Sequence, residues 1–215
     1  MRVITLDQKS PAIIHLCKRD KRLAKVISIV GPITYMTYEG QEFSFLVREI
    51  IEQMLSKKAA ENINQRLVDL CGGTVTPEII TQVSNERIQS IGTSKPKVTY
   101  IKNLAQAVAT GTVDFKALKD APNHEVIKAL TSVKGIGLWT AKMYLIFVLD
   151  RQDILPYEDV AFLRSYKWMY KTEDTTPAAI KKKCQKWAPY ISTGSRYLYR
   201  ALDMGLTKNE FHLFK

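Results

Sequence analysis

The segment Leu130-Thr131-Ser132-Val133-Lys134-Gly135-Ile136-Gly137-Leu138-Trp139-Thr140-Ala141 decides the fold of this chain. Apolar residues recur at helical spacing before its two glycines, so it predicts a helix, a tight glycine hairpin and a second helix. Such a hairpin exposes backbone N–H groups where the second helix begins, and the peptide dipoles there favour an anion. The segment therefore predicts a phosphate-binding hairpin.

Two other structures compete for the same glycines. A dinucleotide-binding loop needs G-x-G-x-x-G after a strand, but the third residue after Gly137 is Thr140. A helix-turn-helix that serves packing alone also accounts for the glycines, because glycine commonly ends helices. Lys134 and the excess of positive charge favour the phosphate-binding hairpin.

The charge of the chain points to a polyanionic partner. Its 215 residues include 32 Lys+Arg and 21 Asp+Glu, a formal net charge of +11. Nucleic acid is the first candidate and an anionic membrane surface is the second. We find no apolar run near the ~20 residues of a membrane span and no secretory signal at the start. The three cysteines lie far apart without ligand spacing, so we expect an intracellular protein without a cofactor.

The apolar spacing predicts an all-α protein of two helical lobes with an active-site cleft between them. Alternating strands are nearly absent, and only residues 25–37 are β-branched enough to compete. One lobe spans 35–150 and contains the helix-hairpin-helix at 131–141, and the other spans 151–215 and is completed by 1–34. Helices are expected near 10–17, 20–30, 41–55, 57–71, 77–83, 84–90, 96–110, 122–132, 137–149, 159–170, 177–187 and 191–204.

A lone carboxylate, Asp159, follows Gly137 by twenty-two residues. It comes after a proline-containing loop and before the apolar run 160–163, which predicts the start of a helix. In isolation such an aspartate is most often an N-cap. The same position favours a negative group that faces developing positive charge. Glu158 is the rival acid.

Several aromatic residues, one methionine and a run of lysines accompany these motifs. At least half of the large side chains are expected in the core, and the others could line a pocket that stacks on a nucleobase. For the lysines a solvated face is favoured, with contact to a nucleic-acid backbone second. The large side chains are Trp139, Met143, Tyr144, Tyr157, Trp168, Trp187 and Tyr190, and the lysines are Lys181, Lys182, Lys183 and Lys186.

On these residues the chain resembles the helix-hairpin-helix base-excision DNA glycosylases, most closely the 3-methyladenine DNA glycosylase II (alkylbase glycosylase) branch. The resemblance runs from about residue 20 to 204. Its most specific piece is 133–141, followed at the expected distance by 156–159. Two weaker pieces, 50–60 and 187–190, agree in order.

The resemblance implies that Asp159 is the catalytic carboxylate and that the hairpin binds the DNA backbone. Beyond a monovalent cation, Na+ or K+, it implies no cofactor. The hairpin residues are Lys134, Gly135, Ile136, Gly137 and Thr140, and the cation would be held by the carbonyls of Thr131, Val133 and Ile136.

Relatives that also cut the DNA backbone use a lysine two positions after the last hairpin glycine, where this chain has Trp139. Since an indole cannot form a Schiff base, the resemblance implies a monofunctional glycosylase. Trp139 then becomes a wall of the base pocket, together with Met143, Tyr144, Tyr157 and Trp187. Glu52 and Met143 depart from the glutamine and tyrosine that are usual in this branch, which affects the shape of the pocket.

The expected substrate is duplex DNA containing alkylated bases, with no membrane and no obligate protein partner. Met54 or Leu55 could fill the gap left by a flipped nucleotide. The chain resembles the compact form of the family, without an N-terminal sheet domain, and a monomer is the simplest expectation. The expected location is the cytoplasm and nucleoid of a bacterium or archaeon, or the nucleus of a eukaryote.

Three alternatives remain at this point. A DNA-binding scaffold could retain the hairpin without catalysis, and a glycosylase of the same superfamily could act on a different damaged base. A binder of membrane surfaces or acidic proteins would depend on the net charge alone.

Overall fold

The computed structural model describes residues 2–213, with the side chain of Lys57 left out. The described chain is predominantly helical, as predicted, and contains thirteen α-helices, two short 3-10 helices and a two-stranded sheet. It divides into two compact units. The first unit comprises Met1–Thr37 and Asp150–Lys215, and the second comprises Tyr38–Leu149. Among the described residues, no helix combines the length and the apolar character needed to cross a membrane.

The first unit joins a two-stranded antiparallel sheet, formed by β1 (Val3–Leu6) and β2 (Ile33–Met36), to five α-helices. Strand β1 pairs with β2 in antiparallel register, Val3 opposite Met36 and Leu6 opposite Ile33. The elements are β1 (Val3–Leu6), α1 (Pro11–Arg19), α2 (Lys21–Val30), β2 (Ile33–Met36), α11 (Val160–Tyr170), α12 (Pro177–Cys184) and α13 (Ile191–Asp203), with 3-10 helices at Gln185–Trp187 and Leu206–Lys208.

A buried carboxylate organises the core of this unit. Asp20 is 2% exposed and caps α2 by accepting the backbone N–H of Arg22 at 3.0 Å. It also accepts hydrogen bonds from the Tyr170 hydroxyl and from Nε1 of Trp187, the latter at 2.9 Å. Lys186 Nζ lies 3.1 Å from the same carboxylate. Three distant parts of the chain are therefore tied together at one group.

The second unit is entirely helical. Helix α10 is buried on all sides, with seven of its ten residues buried, and its sequence is correspondingly apolar all round. The helices are α3 (Glu42–Glu52), α4 (Lys57–Leu70), α5 (Pro77–Gln82), α6 (Asn85–Ser90), α7 (Lys95–Ala109), α8 (Phe115–Asp120), α9 (Asn123–Thr131) and α10 (Leu138–Phe147).

The sheet and one helix were not predicted. Strands of four residues are too short to show an alternating pattern, and β1 forms only because β2 returns beside it. Helix α8 has six residues and begins where Asp114 accepts the N–H groups of Lys116 and Ala117. Because β2 pairs with β1, it belongs to the first unit, and the second unit begins at residue 38 where the sequence placed a lobe boundary at 35.

Candidate active site

The helix-hairpin-helix lies in the second unit, between α9 and α10. The turn closes where the N–H of Ile136 donates to the carbonyl of Val133 at 3.0 Å. Gly135 has φ +108°, in the region that favours glycine, and a Cβ there would lie 2.2 Å from Cγ of Tyr100. Backbone conformation and close packing both require glycine at this position.

Helix α10 begins after Gly137, its N-cap, which supplies no side-chain cap. The positive end of the helix dipole favours an anion at such a position. Lys134 and Gly137 are exposed at this end, whereas Ile136 is buried. Thr140 is also buried, so it lies in the core beside Ile136 and not on the exposed part of the hairpin.

Helix α7 supports the hairpin from one face. Asn103 Nδ2 donates to the carbonyl of Lys134 at 3.3 Å, and Tyr100 packs against Gly135. One turn before Tyr100 on the same helix, Lys97 Nζ donates to the carbonyl of Gln53 at 2.6 Å. Residues 97, 100 and 103 follow the i, i+3 spacing of one helix face. These residues were not among the predicted site residues, although their spacing within the predicted helix 96–110 places them on one face.

The candidate wedge lies in the turn between α3 and α4. Met54 is fully exposed and has φ +59°, a left-handed conformation that is uncommon for residues other than glycine. Leu55 is 39% exposed. Gln53, the preceding residue, donates its Nε2 to the carbonyl of Gly135 at 3.2 Å. The turn is thus tied to the hairpin while the Met54 side chain projects into solvent.

Asp159 is the N-cap of α11 in the first unit, as its sequence context predicted. Its Oδ1 accepts the backbone N–H of Phe162 at 2.6 Å, and the residue is 8% exposed. Its own N–H donates to the carbonyl of Pro156 at 3.0 Å, which closes the preceding loop. A carboxylate can accept further hydrogen bonds beyond the one that caps the helix. The hydrogen bond from the N–H of Phe162 fixes the direction of the Asp159 side chain. Glu158, the rival acid, is half-buried in the same loop.

The predicted pocket residues divide by burial. Tyr157 is half-buried and lies two residues before Asp159. Lys181 Nζ lies 4.8 Å from the centre of the Tyr157 ring. Trp139 is also half-buried. Met143 is 4% exposed and Tyr144 has no exposed surface, which places both in the core of the second unit. Burial raises the pKa of Tyr144, whose hydroxyl has no hydrogen-bond partner in the described part of the chain.

The placement of Trp187 corrects the sequence analysis. The side chain is fully buried, its Nε1 is bonded to Asp20, and Gly194 packs against its ring. An indole whose donor is satisfied by a buried carboxylate is a core residue. Trp187 thus lies in the core of the first unit and not on the wall of an open pocket.

The three carbonyls proposed for a monovalent cation offer oxygen donors, which suit a hard cation. The Val133 carbonyl accepts the Ile136 N–H and keeps a second lone pair. Within residues 2–213 no group of three or more His, Cys, Asp or Glu could hold a metal ion. The cation site stays a prediction.

Comparison with known families decides the relationship of the chain. Residues 47–190 match the family described as HhH-GPD superfamily base excision DNA repair protein, a span that includes both the hairpin and Asp159. The chain belongs to the HhH-GPD superfamily. The helical architecture described above is accordingly the HhH-GPD fold.

Individual relatives agree with this assignment. The chain is 30% identical over 195 residues to DNA-3-methyladenine glycosylase 1 of Schizosaccharomyces pombe, covering 87% of this chain and 85% of that protein. A DNA-3-methyladenine glycosidase structure from Bacillus halodurans has a TM-score of 0.84 at 34% identity, covering 99% of this chain and 97% of that chain. A 3-methyladenine DNA glycosylase from S. pombe in complex with abasic DNA also has a TM-score of 0.84, at 28% identity, with 90% and 97% coverage.

Proposed function

We propose that this HhH-GPD protein is a monofunctional DNA glycosylase of the 3-methyladenine DNA glycosylase II type. It flips alkylated purines out of duplex DNA, chiefly 3-methyladenine and also 7-methylguanine, and hydrolyses their N-glycosidic bonds in base excision repair. The observation that carries the proposal is the Asp159 carboxylate, held at the start of α11 by the N–H of Phe162. Its relatives named for 3-methyladenine support the substrate class.

DNA binding is assigned to the hairpin of the second unit. The uncapped start of α10 offers N–H groups and the positive end of the helix dipole to a phosphate, and Lys134 adds a charge. These contacts read no sequence, which suits an enzyme that must inspect any stretch of duplex. The S. pombe relative in complex with abasic DNA supports this partner.

Base flipping is required because the bond to be cut is hidden inside the duplex, and a damaged base is the least costly to extrude. Met54 is suited to occupy the vacated space because its apolar side chain projects fully into solvent from a fixed turn. Leu55 is less exposed and remains the second candidate.

The chemistry needs one carboxylate. Most glycoside hydrolases use a second acid to protonate the leaving group, but N3- and N7-alkylated purines already carry positive charge and leave without one. Asp159 then stabilises the developing oxocarbenium ion and orients the attacking water. An aromatic face in the base pocket favours a cationic base by about 1–2 kcal/mol per desolvated contact.

Backbone cleavage is not part of the proposal. Trp139 occupies the position where lyases of this superfamily have their nucleophilic lysine, and the nearby Lys142 is 7% exposed. We therefore expect borohydride to trap no covalent adduct with damaged DNA. A trapped adduct that disappears in Lys142→Ala would reject the monofunctional assignment.

The proposal is tested by incubating the protein with methylated DNA and separating the released bases by chromatography. Asp159→Asn should abolish base release while duplex binding persists. Asparagine is as good an N-cap as aspartate, so the folded state should be retained and the loss would be chemical. Glu158→Gln is the matched control and should keep activity. Full activity in Asp159→Asn would reject the catalytic assignment, and binding without release by the wild-type protein would favour the non-enzymatic scaffold.

A further inference from the structure

The positive charge of the chain is unevenly divided between its two units. The first unit holds 19 of the 32 Lys+Arg residues and 10 of the 21 Asp+Glu residues, a net charge of +9. The second unit, which contains the hairpin, holds 13 and 11, a net charge of +2. Most of the excess charge is therefore absent from the unit to which phosphate binding was assigned.

Within the first unit the charge is concentrated in residues 18–22 and 181–186. Each segment contains four Lys or Arg residues, and the two contain a single acid, Asp20. They are about 160 residues apart in sequence, but Lys186 lies 3.1 Å from Asp20, at the start of α2. We call these two segments the basic surface.

The acid in the basic surface is buried and pairs with Lys186. Asp20 is 2% exposed, and its carboxylate is occupied by Tyr170, Trp187 and the backbone of α2. Lys183 and Lys186 lie over the ring of Tyr170, at 4.8 and 5.4 Å from its centre. Nearby acids are partly occupied elsewhere, since Glu173 pairs with Lys167 and Glu210 with Lys171. Asp174 is the acid that faces Lys183.

Three lysines of the basic surface carry charges that no side chain of the described residues pairs. Lys18, Lys21 and Lys182 are exposed and form no side-chain hydrogen bond or ion pair within residues 2–213. Collecting like charges on one surface costs stability through mutual repulsion. A surface that only faces solvent does not need such a concentration of positive charge. A bound polyanion offsets the repulsion between the charges, and the release of its counterions favours binding.

The basic surface also reaches the loop that carries Asp159. Lys181, at one end of the lysine run, lies over the ring of Tyr157, two residues before Asp159. At the other end, Lys186 reaches Asp20. Lys181 lies in α12, and Lys186 lies in the 3-10 helix that directly follows it. The charge thus extends from the candidate catalytic loop to the start of α2.

We propose that the basic surface is a second nucleic-acid interface, which binds the phosphate backbone of duplex DNA independently of the hairpin. Its contacts are exposed lysines and arginines that act as point charges, so it recognises phosphate without reading sequence. It supplies most of the salt-dependent affinity for undamaged duplex, while the hairpin supplies a local contact at the lesion. The inference concerns binding alone and holds whether or not the protein releases a base.

The test measures the affinity of the full-length protein for an undamaged duplex oligonucleotide over a range of salt concentrations. The variant Lys18→Gln/Lys21→Gln/Lys182→Gln removes three charges from the basic surface. The control Lys9→Gln/Arg87→Gln/Lys116→Gln removes three exposed charges outside the basic surface and the hairpin, so both variants have the same net charge. Thermal melting checks that both are folded.

The surface variant should flatten the plot of log K against log salt by about 0.9 for each phosphate that is no longer neutralised, up to roughly 2.7 for three phosphates. The control should keep the wild-type slope. Equal slopes for the two variants would overturn the proposal, because net charge alone would then explain the binding. A second arm uses phosphatidylcholine vesicles containing phosphatidylserine. Loss of vesicle binding with unchanged DNA binding would overturn it in favour of a membrane surface.

Because this assay uses undamaged DNA, its outcome is separate from that of the base-release experiment. A wild-type protein that releases no base but shows the predicted difference in slope would contradict the glycosylase and leave the second interface standing. The reverse combination would contradict only the second interface.

Discussion

Lys97 Nζ donates a hydrogen bond to the carbonyl oxygen of Gln53 at 2.6 Å, directly before the exposed Met54. The same ammonium group donates to the carbonyl of Ile51 at 2.7 Å. One lysine on α7 therefore fixes the last turn of α3 and the conformation from which Met54 projects. Burial of the ammonium group lowers the pKa of Lys97.

We predict that Lys97→Met lowers excision from duplex DNA by about 10- to 100-fold, because a displaced wedge no longer holds the flipped state. Excision from single-stranded DNA, where no gap has to be filled, should change little, and Lys97→Arg should restore part of the duplex activity. Single-turnover rates on the two substrates check this.

The control for this prediction lies on the same helix. Lys102 donates to the carbonyls of Ile80 and Val83 at the end of α5, away from the wedge turn. Lys102→Met should reduce the free energy of unfolding without changing the ratio of duplex to single-strand activity. An equal change of that ratio in both variants would show that α7 acts through stability alone.

Met54 should affect stability and activity in opposite directions. Its left-handed backbone costs about 1–2 kcal/mol for a residue with a Cβ, and glycine avoids this cost but loses roughly 0.5–1 kcal/mol of chain entropy. We therefore expect Met54→Gly to be about 0.5 kcal/mol more stable in urea denaturation while its duplex excision falls. Parallel losses of stability and activity would contradict the wedge role.

The two hairpin glycines should respond differently to alanine. At Gly135 a Cβ meets Tyr100 and the φ is +108°, so Gly135→Ala should cost about 2–4 kcal/mol of unfolding free energy. At Gly137 no heavy atom of residues 2–213, apart from its own chain neighbours, lies within 4 Å of an added Cβ, so Gly137→Ala should remain folded. The new methyl group would still obstruct a phosphate at the start of α10 and weaken DNA binding. Calorimetry and a binding titration separate the two effects. Unchanged DNA binding by Gly137→Ala would show that no phosphate binds at that position.

Asp20 should make the stability of the protein sensitive to acid. Burial alone would raise the pKa of this carboxyl, but hydrogen bonds from Tyr170, Trp187 and Lys186 outweigh burial and lower it below its ordinary value of 3.8. A lowered folded pKa gives stability that is complete above the unfolded pKa and is lost as the pH falls through the folded one. The loss therefore occurs below about pH 4.

The corresponding variant is Asp20→Asn, which keeps an N-cap but removes the charge. It should lose about 1.5–3 kcal/mol at neutral pH, because the hydrogen bonds from Tyr170 and Trp187 then end on a neutral amide and not on a carboxylate. Its urea midpoint should then change less than that of the wild-type protein between about pH 4 and pH 2. Identical pH profiles would show that another carboxyl controls the acid transition.

The sequence was sufficient where a local pattern determines the structure. The glycines at 135 and 137 predicted the hairpin, and the proline-containing loop before Asp159 predicted the start of a helix. Both predictions were possible because turns and caps depend on a few neighbouring residues. The burial of Trp187 could not be predicted from the sequence, because it depends on a hydrogen bond to Asp20, which lies 167 residues earlier in the chain. The support from Lys97 likewise depends on a bond to the carbonyl of Gln53, and main-chain acceptors leave no trace in the residue types.

The burial of α10 has a consequence for how DNA is engaged. This helix begins at an N-cap without a side-chain cap, while seven of its ten residues lie inside the second unit. The backbone at this helix start is already ordered before an anion binds. Binding therefore costs little additional backbone conformational entropy. Amides farther along α10 should exchange with deuterium only through global opening, both with and without ligand. Encounters with intact duplex can therefore be brief and frequent, and the search for a lesion proceeds without a folding step at each stop.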